Sequence, residues 1–211
     1  MIPDKAMWMK ALENRHGKEL HKRISSTAVA ICGLGGLGSN IAVLLARAGV
    51  GKIILVDFDK VDVSNLHRQQ YKACQTGMYK TEALKLNLKE IAPYLETEIH
   101  TVFMDESNFC GILRDADIIC EAFDNAEAKA KLVNHVLAEM PEKYIVAASG
   151  MAGMSTANTI KTRRISKRFY LCGDEKSDVA DGMGLVASRV AVCASHQAHA
   201  VLRIISENFE E

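Results

Sequence analysis

The run Gly33-Leu34-Gly35-Gly36-Leu37-Gly38 is the most informative part of the chain, because of the two segments that it joins. The run 27–32 (Thr-Ala-Val-Ala-Ile-Cys) is typical of a buried parallel strand, and 39–48 is apolar on nearly every side, as in a deeply packed helix. Glycines at such a junction let the backbone approach a phosphate, and the amides that begin the helix face the anion. The alternative is a turn that only permits tight packing of strand on helix.

The alternation of strand and helix patterns continues along the chain. Strands are predicted over 52–56, 99–104, 117–123 and 144–148, and helices over 81–91 and 126–140. This order predicts the α/β class, as a Rossmann-like, doubly wound and mostly parallel sheet. An N-terminal helical lead-in, a C-terminal extended segment (155–162), a loop (163–184) and a closing helix (186–205) complete the prediction.

Length and composition favour a single domain over 1–211, with a helical lead-in (1–25), a Rossmann-like core (26–150) and a C-terminal region (151–211). The 26 basic and 26 acidic residues balance, so no nucleic-acid partner is expected. No uncharged apolar run reaches the roughly 18 residues of a membrane span, and no signal peptide is recognised. The six cysteines form no CxxC pair, so no zinc is expected and the predicted location is cytoplasmic.

Charged side chains follow the predicted strands at their carboxyl ends. Asp57 ends the second strand, where an acid can bind a ribose hydroxyl and would repel a 2′-phosphate. Arg68 and Lys80 suit the terminal phosphates of a triphosphate, for which a nicotinamide dinucleotide has no counterpart. The alternatives are a solvated carboxylate and two solvated surface cations.

The pair Asp124-Asn125 follows the strand predicted over 117–123. A carboxylate here can hold Mg²⁺ on phosphate oxygens, since that ion takes one or two carboxylates together with its substrate. Either residue can instead cap the next helix. Asn125 as the cap and Asp124 facing the ligand would reconcile the two interpretations.

Taken together, these motifs resemble a known family. GLGGLGSN (33–40), LVDFDKVDVSNLHRQ (55–69), Lys80 and Asp124-Asn125 are similar to the ThiF/MoeB/ubiquitin-activating superfamily of adenylyltransferases, most closely its compact ThiF-type proteins. The resemblance runs from about Arg15 to Ile205. It implies a catalytic set of Arg68, Lys80 and Asp124, with magnesium on Asp124. It also implies a nucleotide site built from Gly33, Gly35, Gly36, Gly38, Asp57, Asn65, Arg68, Gln69, Lys80 and Asp124.

The resemblance also implies an activity and partners. The chain would use ATP to adenylate the Gly-Gly carboxyl end of a small ubiquitin-like sulfur carrier for thiamine thiazole synthesis, as a homodimer in which Arg15 reaches the partner's site. Adenylation for molybdopterin or tRNA modification, a nicotinamide oxidoreductase and an inactive adapter remain alternatives. Relatives hold zinc on two CxxC pairs that this chain lacks. Cys172, in the loop where relatives carry a reactive cysteine, is expected to have its pKa lowered by Lys167, Arg168 and Lys176, or else to be incidental.

Overall fold

The apolar runs form the centre of a seven-stranded sheet in the computed structural model, which describes residues 2–182 and 184–207. In chain order the strands are β1 (Ala28–Cys32), β2 (Lys52–Val56), β3 (Glu96–His100), β4 (Ile118–Glu121), β5 (Tyr144–Ala148), β6 (Lys161–Ser166) and β7 (Phe169–Gly173). Across the sheet they lie in the order β3-β2-β1-β4-β5-β7-β6, and all neighbours are parallel except β6 and β7. The predicted α/β, mostly parallel sheet is confirmed.

Helices cover both faces of this sheet. They are α1 (Lys5–His16), α2 (Lys18–Ser26), α3 (Gly36–Ala48), α4 (Lys80–Ile91), α5 (Phe109–Leu113), α6 (Ala126–Glu139) and α7 (Ala187–Ser206). Helices α3, α4 and α7 pack on one face, and α5 and α6 pack on the other. Among the described helices, none is both long and apolar enough to span a bilayer.

Successive residues of the central strands face opposite layers of the core. In β1, Val29 and Ile31 join the α3 side, whereas Ala30 and Cys32 join the α6 side. All four are fully buried. A strand covered on both faces needs apolar residues at every position, which is why these segments read as unbroken apolar runs.

Three predicted segments were wrong in their detail. The lead-in breaks at Gly17, which has φ +80° and separates α1 from α2. The strand predicted over 99–104 lies earlier, at Glu96–His100, where Lys52 Nζ of β2 is 2.7 Å from Glu98 Oε2. The loop predicted over 163–184 contains most of the hairpin β6–β7, and the extended segment before it contains a 3₁₀ turn, Ala157–Thr159.

A buried ion pair organises the C-terminal region. Arg189, in the first turn of α7, pairs with Asp174 and donates to the carbonyls of Ser155 at 2.7 Å and Thr156 at 2.6 Å. Asp174 Oδ1 also accepts two backbone amides of the following turn, each at 2.9 Å. The pair therefore fastens the segment after β5 and the segment after β7 to the start of α7.

Candidate functional site

The glycine turn lies at the carboxyl end of β1, between β2 and β4, where the direction of strand order reverses. Gly33 has φ +91°, and a Cβ there would lie 2.7 Å from the Ala122 carbonyl oxygen. A Cβ on Gly38 would lie 1.8 Å from the Gly33 carbonyl oxygen. These two glycines are required by packing of the turn itself.

Gly35 and Gly36 have different surroundings. A Cβ on Gly35 would meet only Gln69 Nε2, at 3.7 Å, so the backbone here borders open space. A Cβ on Gly36 would meet Val190 of α7 at 3.0 Å and the Arg68 side chain at 3.4 Å. Tight packing explains Gly33 and Gly38. No packing contact requires a glycine in place of a larger residue at Gly35, where the approach of a phosphate remains a prediction.

Asp57 fixes the turn from the end of β2. Its Oδ2 accepts the Leu34 amide at 2.6 Å and its Oδ1 accepts the Asp59 amide at 2.7 Å. Tyr71 donates its hydroxyl to the Leu34 carbonyl at 2.7 Å, so both sides of that residue are held. Asp57 is 8% exposed and is not a solvated carboxylate. Its binding of a ribose hydroxyl remains a prediction.

Lys80 begins α4 beside the same acid. Its Nζ lies 2.6 Å from Asp59 Oδ2 and 3.6 Å from Asp57 Oδ2. With only 6% of the residue exposed, Lys80 is not a solvated surface cation. The strand and the helix place it at the carboxyl edge, near the glycine turn.

Arg68 and Gln69 have hydrogen-bonding capacity that the described residues leave unused. Arg68 Nε is buried without a partner, and Nη1 of the same guanidinium reaches only His67 Nε2, at 3.5 Å. Burial lowers the pKa of Arg68, and the nearby Asp124 carboxylate acts against that shift. Gln69 is 7% exposed with its Oε1 buried and unpartnered. A buried polar group without a partner is costly, so these atoms indicate a ligand or ordered water.

The turn that carries Asn65 and Arg68 is tied to the glycine turn. Asn65 ends a 3₁₀ helix and is partly exposed. Asn40 of α3 donates its Nδ2 to the carbonyls of Gly36 at 2.6 Å and Arg68 at 3.1 Å. Asn40 was not predicted as a site residue, although it lies within the quoted motif.

Asp124 and Asn125 divide their roles as the sequence suggested for the cap. Asn125 Oδ1 accepts the Ala128 amide at 2.9 Å and so caps α6. Asp124 is exposed, and its charge acts on Arg68. The turn before it is held by Glu121, whose Oε1 accepts the Phe123 amide at 2.7 Å.

Glu121 was missed by the sequence analysis. It is fully buried in β4, and its Oε2 lies 2.6 Å from Lys129 Nζ of α6. Burial raises the pKa of Glu121 more than Lys129 lowers it. An acid inside an apolar strand was the signal, since buried carboxylates are rare unless they are paired.

The expectation for Cys172 was wrong. Cys172 lies within β7 and is fully buried, so burial raises its pKa to about 11 despite a hydrogen bond with Thr162. Of the cationic residues near it in sequence, Arg168 lies over the ring of Tyr144 instead, 5.3 Å from the ring centroid. Cys74 and Cys110 are exposed thiols.

Arg15 lies away from the glycine turn of its own chain. It is exposed in the last turn of α1. Leu12 of the same helix would lie 2.9 Å from a Cβ on Gly49, which follows the C-terminal end of α3. The glycine turn is at the other end of α3, about 20 Å away. The contact of Arg15 with a partner's nucleotide stays a prediction.

The assembled site is suited to a polyphosphate. An open glycine backbone, a buried lysine and an arginine with unused donors meet at one edge of the sheet. No cluster of three or more metal-binding side chains occurs in the described part of the chain. Asp124 offers a single carboxylate. One carboxylate suits an ion that is shared with phosphate oxygens, which is how Mg²⁺ usually binds.

Comparisons with known proteins found a family match and several similar sequences. The model of the ThiF family matches residues 10–211. Molybdopterin-synthase adenylyltransferase of Haemophilus influenzae is 32% identical over 70% of this chain and 63% of its own length. Adenylyltransferase and sulfurtransferase MOCS3 of Caenorhabditis briggsae is 41% identical over 54% of this chain and 29% of its own length. The chain therefore spans less than two thirds of the length of these relatives.

Solved structures show the same fold. Escherichia coli tRNA N6-threonylcarbamoyladenosine dehydratase, in complex with ATP, superposes with a TM-score of 0.87 over 98% of both chains, at 18% identity. Escherichia coli MccB with ATP superposes with a TM-score of 0.70 over 89% of this chain and 58% of its own, at 20% identity.

Proposed function

Because the chain belongs to the ThiF family, we propose that it is an ATP-dependent adenylyltransferase that activates a carboxylate. The observation that supports this most directly is the buried, unpartnered Nε of Arg68, whose side chain lies against Gly36 of the glycine turn. Two similar proteins are named adenylyltransferases. A nicotinamide oxidoreductase would use the glycines and Asp57 but has no use for Arg68 and Lys80.

In the proposed reaction a carboxylate oxygen attacks the α-phosphorus of ATP. The bond to the bridging oxygen breaks, pyrophosphate leaves with its electron pair, and an acyl-adenylate forms. No general base is required, since a carboxylate is already ionised at neutral pH. The protein's part is to position the two reactants and to neutralise charge that develops on the phosphates.

Each side chain has a defined part in this scheme. Arg68 donates to phosphate oxygens, and Lys80 adds a positive charge that Asp57 and Asp59 hold in place. Asp57 keeps the glycine turn in shape and accepts a ribose hydroxyl. Asp124 would hold Mg²⁺, which would supply further neutralisation of the phosphates.

The acid that we propose is the Gly-Gly carboxyl end of a small ubiquitin-like sulfur carrier, serving thiamine thiazole synthesis. Support for a carrier of this class comes from relatives named for molybdopterin synthase and for ubiquitin-like modifiers. The structural likeness to the tRNA dehydratase, at 18% identity, supports the fold and does not choose the acid.

The test is pyrophosphate exchange into ATP. Purified chain is incubated with labelled pyrophosphate, ATP–Mg²⁺ and each of several Gly-Gly-ended carriers, intact or with the carboxyl end amidated. Exchange is expected with an intact carrier of the thiazole type and not with its amide. Exchange with none of the intact carriers would contradict a carrier substrate, and exchange with a molybdopterin-type carrier alone would contradict the thiazole pathway.

A pair of acid variants tests the role of Asp124. Asp124→Ala is expected to lower exchange by about 10²-fold. The matched control is Glu127→Ala, which removes an exposed acid from the first turn of α6 that pairs with Lys131. Unchanged exchange in Asp124→Ala would show that the magnesium role is wrong.

We further propose a homodimer in which Arg15 reaches the partner's nucleotide. Arg15→Ala and Asp124→Ala chains are each expected to be nearly inactive. When they are unfolded together and refolded as mixed dimers, about a quarter of the natural activity should return, because half the dimers then hold one intact site. No recovery would contradict a contribution across the dimer.

A further inference from the structure

The ring of His67 bridges two parts of the chain that are 118 residues apart in sequence. Its Nδ1 lies 3.0 Å from the Ser64 carbonyl oxygen, within the turn that carries Asn65 and Arg68. Its Nε2 lies 3.2 Å from the carbonyl oxygen of Leu185, immediately before α7. His67 therefore joins the turn beside the candidate phosphate site to the segment 184–186.

Both parts are firmly connected to their surroundings. Within the turn, the amides of Asn65 and Arg68 donate to carbonyls three residues earlier, at 3.1 and 3.2 Å. In the segment 184–186, the Gly184 carbonyl accepts the Gly153 amide at 3.0 Å. The ring of His67 therefore contacts two segments that are each hydrogen-bonded to their surroundings.

The same ring nitrogen faces two competing partners. Arg68 Nη1, a donor, lies 3.5 Å from His67 Nε2, whereas the Leu185 carbonyl can only accept. A neutral ring carries one proton. With the proton on Nε2, the ring donates to Leu185 and only the lone pair of Nδ1 faces the Ser64 carbonyl; with the proton on Nδ1, the ring donates to Ser64 and Nε2 can accept from Arg68. The contacts of Nε2 with Leu185 and with Arg68 are therefore mutually exclusive.

We propose that His67 is a positioning residue that couples phosphate binding at Arg68 to docking of the segment 184–186. When a phosphate engages the Arg68 guanidinium, Arg68 no longer competes for His67 Nε2. The ring proton then resides on Nε2 instead of Nδ1, so the ring gives up its hydrogen bond to the Ser64 carbonyl and donates to Leu185. This contact holds the segment, and with it the start of α7, against the turn. The inference rests on the proposed function, because a nucleotide phosphate is the ligand that engages Arg68.

Three substitutions distinguish the contributions of the two ring nitrogens. His67→Gln retains an amide near the place of Nε2, His67→Asn retains one near the place of Nδ1, and His67→Ala retains neither. Backbone amide exchange is measured on the peptide 184–190 with and without ATP–Mg²⁺, and ATP binding is measured by calorimetry on the same samples. Exchange in β1 serves as the internal control.

ATP–Mg²⁺ is expected to slow exchange in 184–190 of the natural chain by about fivefold or more. His67→Gln should keep that effect, while His67→Asn and His67→Ala should lose it. All three should bind ATP within about tenfold of the natural chain, since none removes a phosphate contact.

A merely structural role for His67 predicts a different pattern, in which exchange rises equally with and without nucleotide. That pattern, or full protection in His67→Ala, would overturn the coupling while ATP binding still stands. Absence of ATP binding to the natural chain would instead overturn the proposed function and the coupling together.

Discussion

Arg68 and Arg189 both lie near the start of α7, and their surroundings differ. In both residues the Nε is buried without a partner. The terminal nitrogens of Arg189, however, make four hydrogen bonds, to two carbonyls, one hydroxyl and the Asp174 carboxylate, whereas those of Arg68 have one long contact, with His67. Because burying unmet donors is costly, the first arrangement indicates a role in stability and the second a role in binding.

The acid partners differ in the same way. Burial alone would raise the pKa of Asp174, but hydrogen bonds from the Ser177 and Lys176 amides, the Ser177 hydroxyl and Arg189 lower it to about 2. Asp124, which acts on Arg68, is exposed and accessible to an ion. The C-terminal region thus contains a closed ion pair, whereas Arg68 and Asp124 beside the glycine turn influence each other without forming a salt bridge in the part of the chain that the structure describes.

The largest expected effect is on stability. Arg189→Gln leaves Asp174 buried without its cation and should lower the free energy of unfolding by about 3–5 kcal/mol. Urea denaturation followed by circular dichroism measures this change. The control is Arg163→Gln, whose exposed ion pair with Glu175 should contribute less than about 1 kcal/mol. Equal losses in the two variants would remove the distinction between the arginines.

Arg68→Gln should lower activity much more than stability. Exchange of pyrophosphate is expected to fall about 10²–10³-fold, equivalent to about 3–4 kcal/mol of transition-state stabilisation. The free energy of unfolding should change by less than about 1 kcal/mol, because the Arg68 Nε has no protein partner to lose. Arg47→Gln, an exposed change at the other end of α3, is the control for both measurements. A destabilised Arg68→Gln with normal exchange would reverse our assignment.

A pH series sharpens the contrast at Asp174. Its pKa is lowered from 3.8 to about 2 in the folded chain, so its stabilising effect is present above pH 4 and is lost as the pH falls towards 2. The difference in unfolding free energy between the natural chain and Asp174→Asn should therefore shrink by about 2 kcal/mol over that range. A pH-independent difference would contradict the low pKa.

The smallest expected effect is at the cap of α6. Asn125→Ala removes the acceptor of the Ala128 amide and should lower the unfolding free energy by about 1 kcal/mol. Pyrophosphate exchange by the folded Asn125→Ala chain should fall much less than in Asp124→Ala. Both are measured in parallel at a temperature well below the unfolding transition. A larger catalytic loss in Asn125→Ala would mean that the two neighbours share one role.

How far the sequence predicts this fold depends on how each strand is buried. The bounds predicted for β2 and β5 match the structure, because in both strands every residue after the first is apolar and buried. Strand β6 (Lys161–Ser166) was missed because it is an exposed edge strand rich in cations. Strand β3 was displaced because Glu96 and Glu98 are polar edge residues satisfied by Lys52 of β2.

The site shows the same limit. Asp57, Arg68 and Lys80 could be grouped in advance, since carboxyl ends of parallel strands meet at one edge of the sheet. The role of His67 depends on a contact with a distant segment, which no local pattern encodes. Glu121, whose partner Lys129 is eight residues away, had a local signal as an acid inside an apolar strand. Cys172 was misjudged because its burial depends on pairing of β7 with β5, whereas the cations beside it in sequence were visible.

The cationic edge strand has a further consequence for how copies of the chain behave when concentrated. An open strand edge offers backbone groups to any neighbour, and self-pairing along such edges starts ordered aggregation. Two copies of β6 meeting side by side would bring Lys161, Arg163 and Arg164 of one against those of the other. This repulsion opposes edge-to-edge pairing of β6 at low ionic strength and weakens as salt is added. Concentrated solutions of the protein should therefore stay clear longest in dilute buffer.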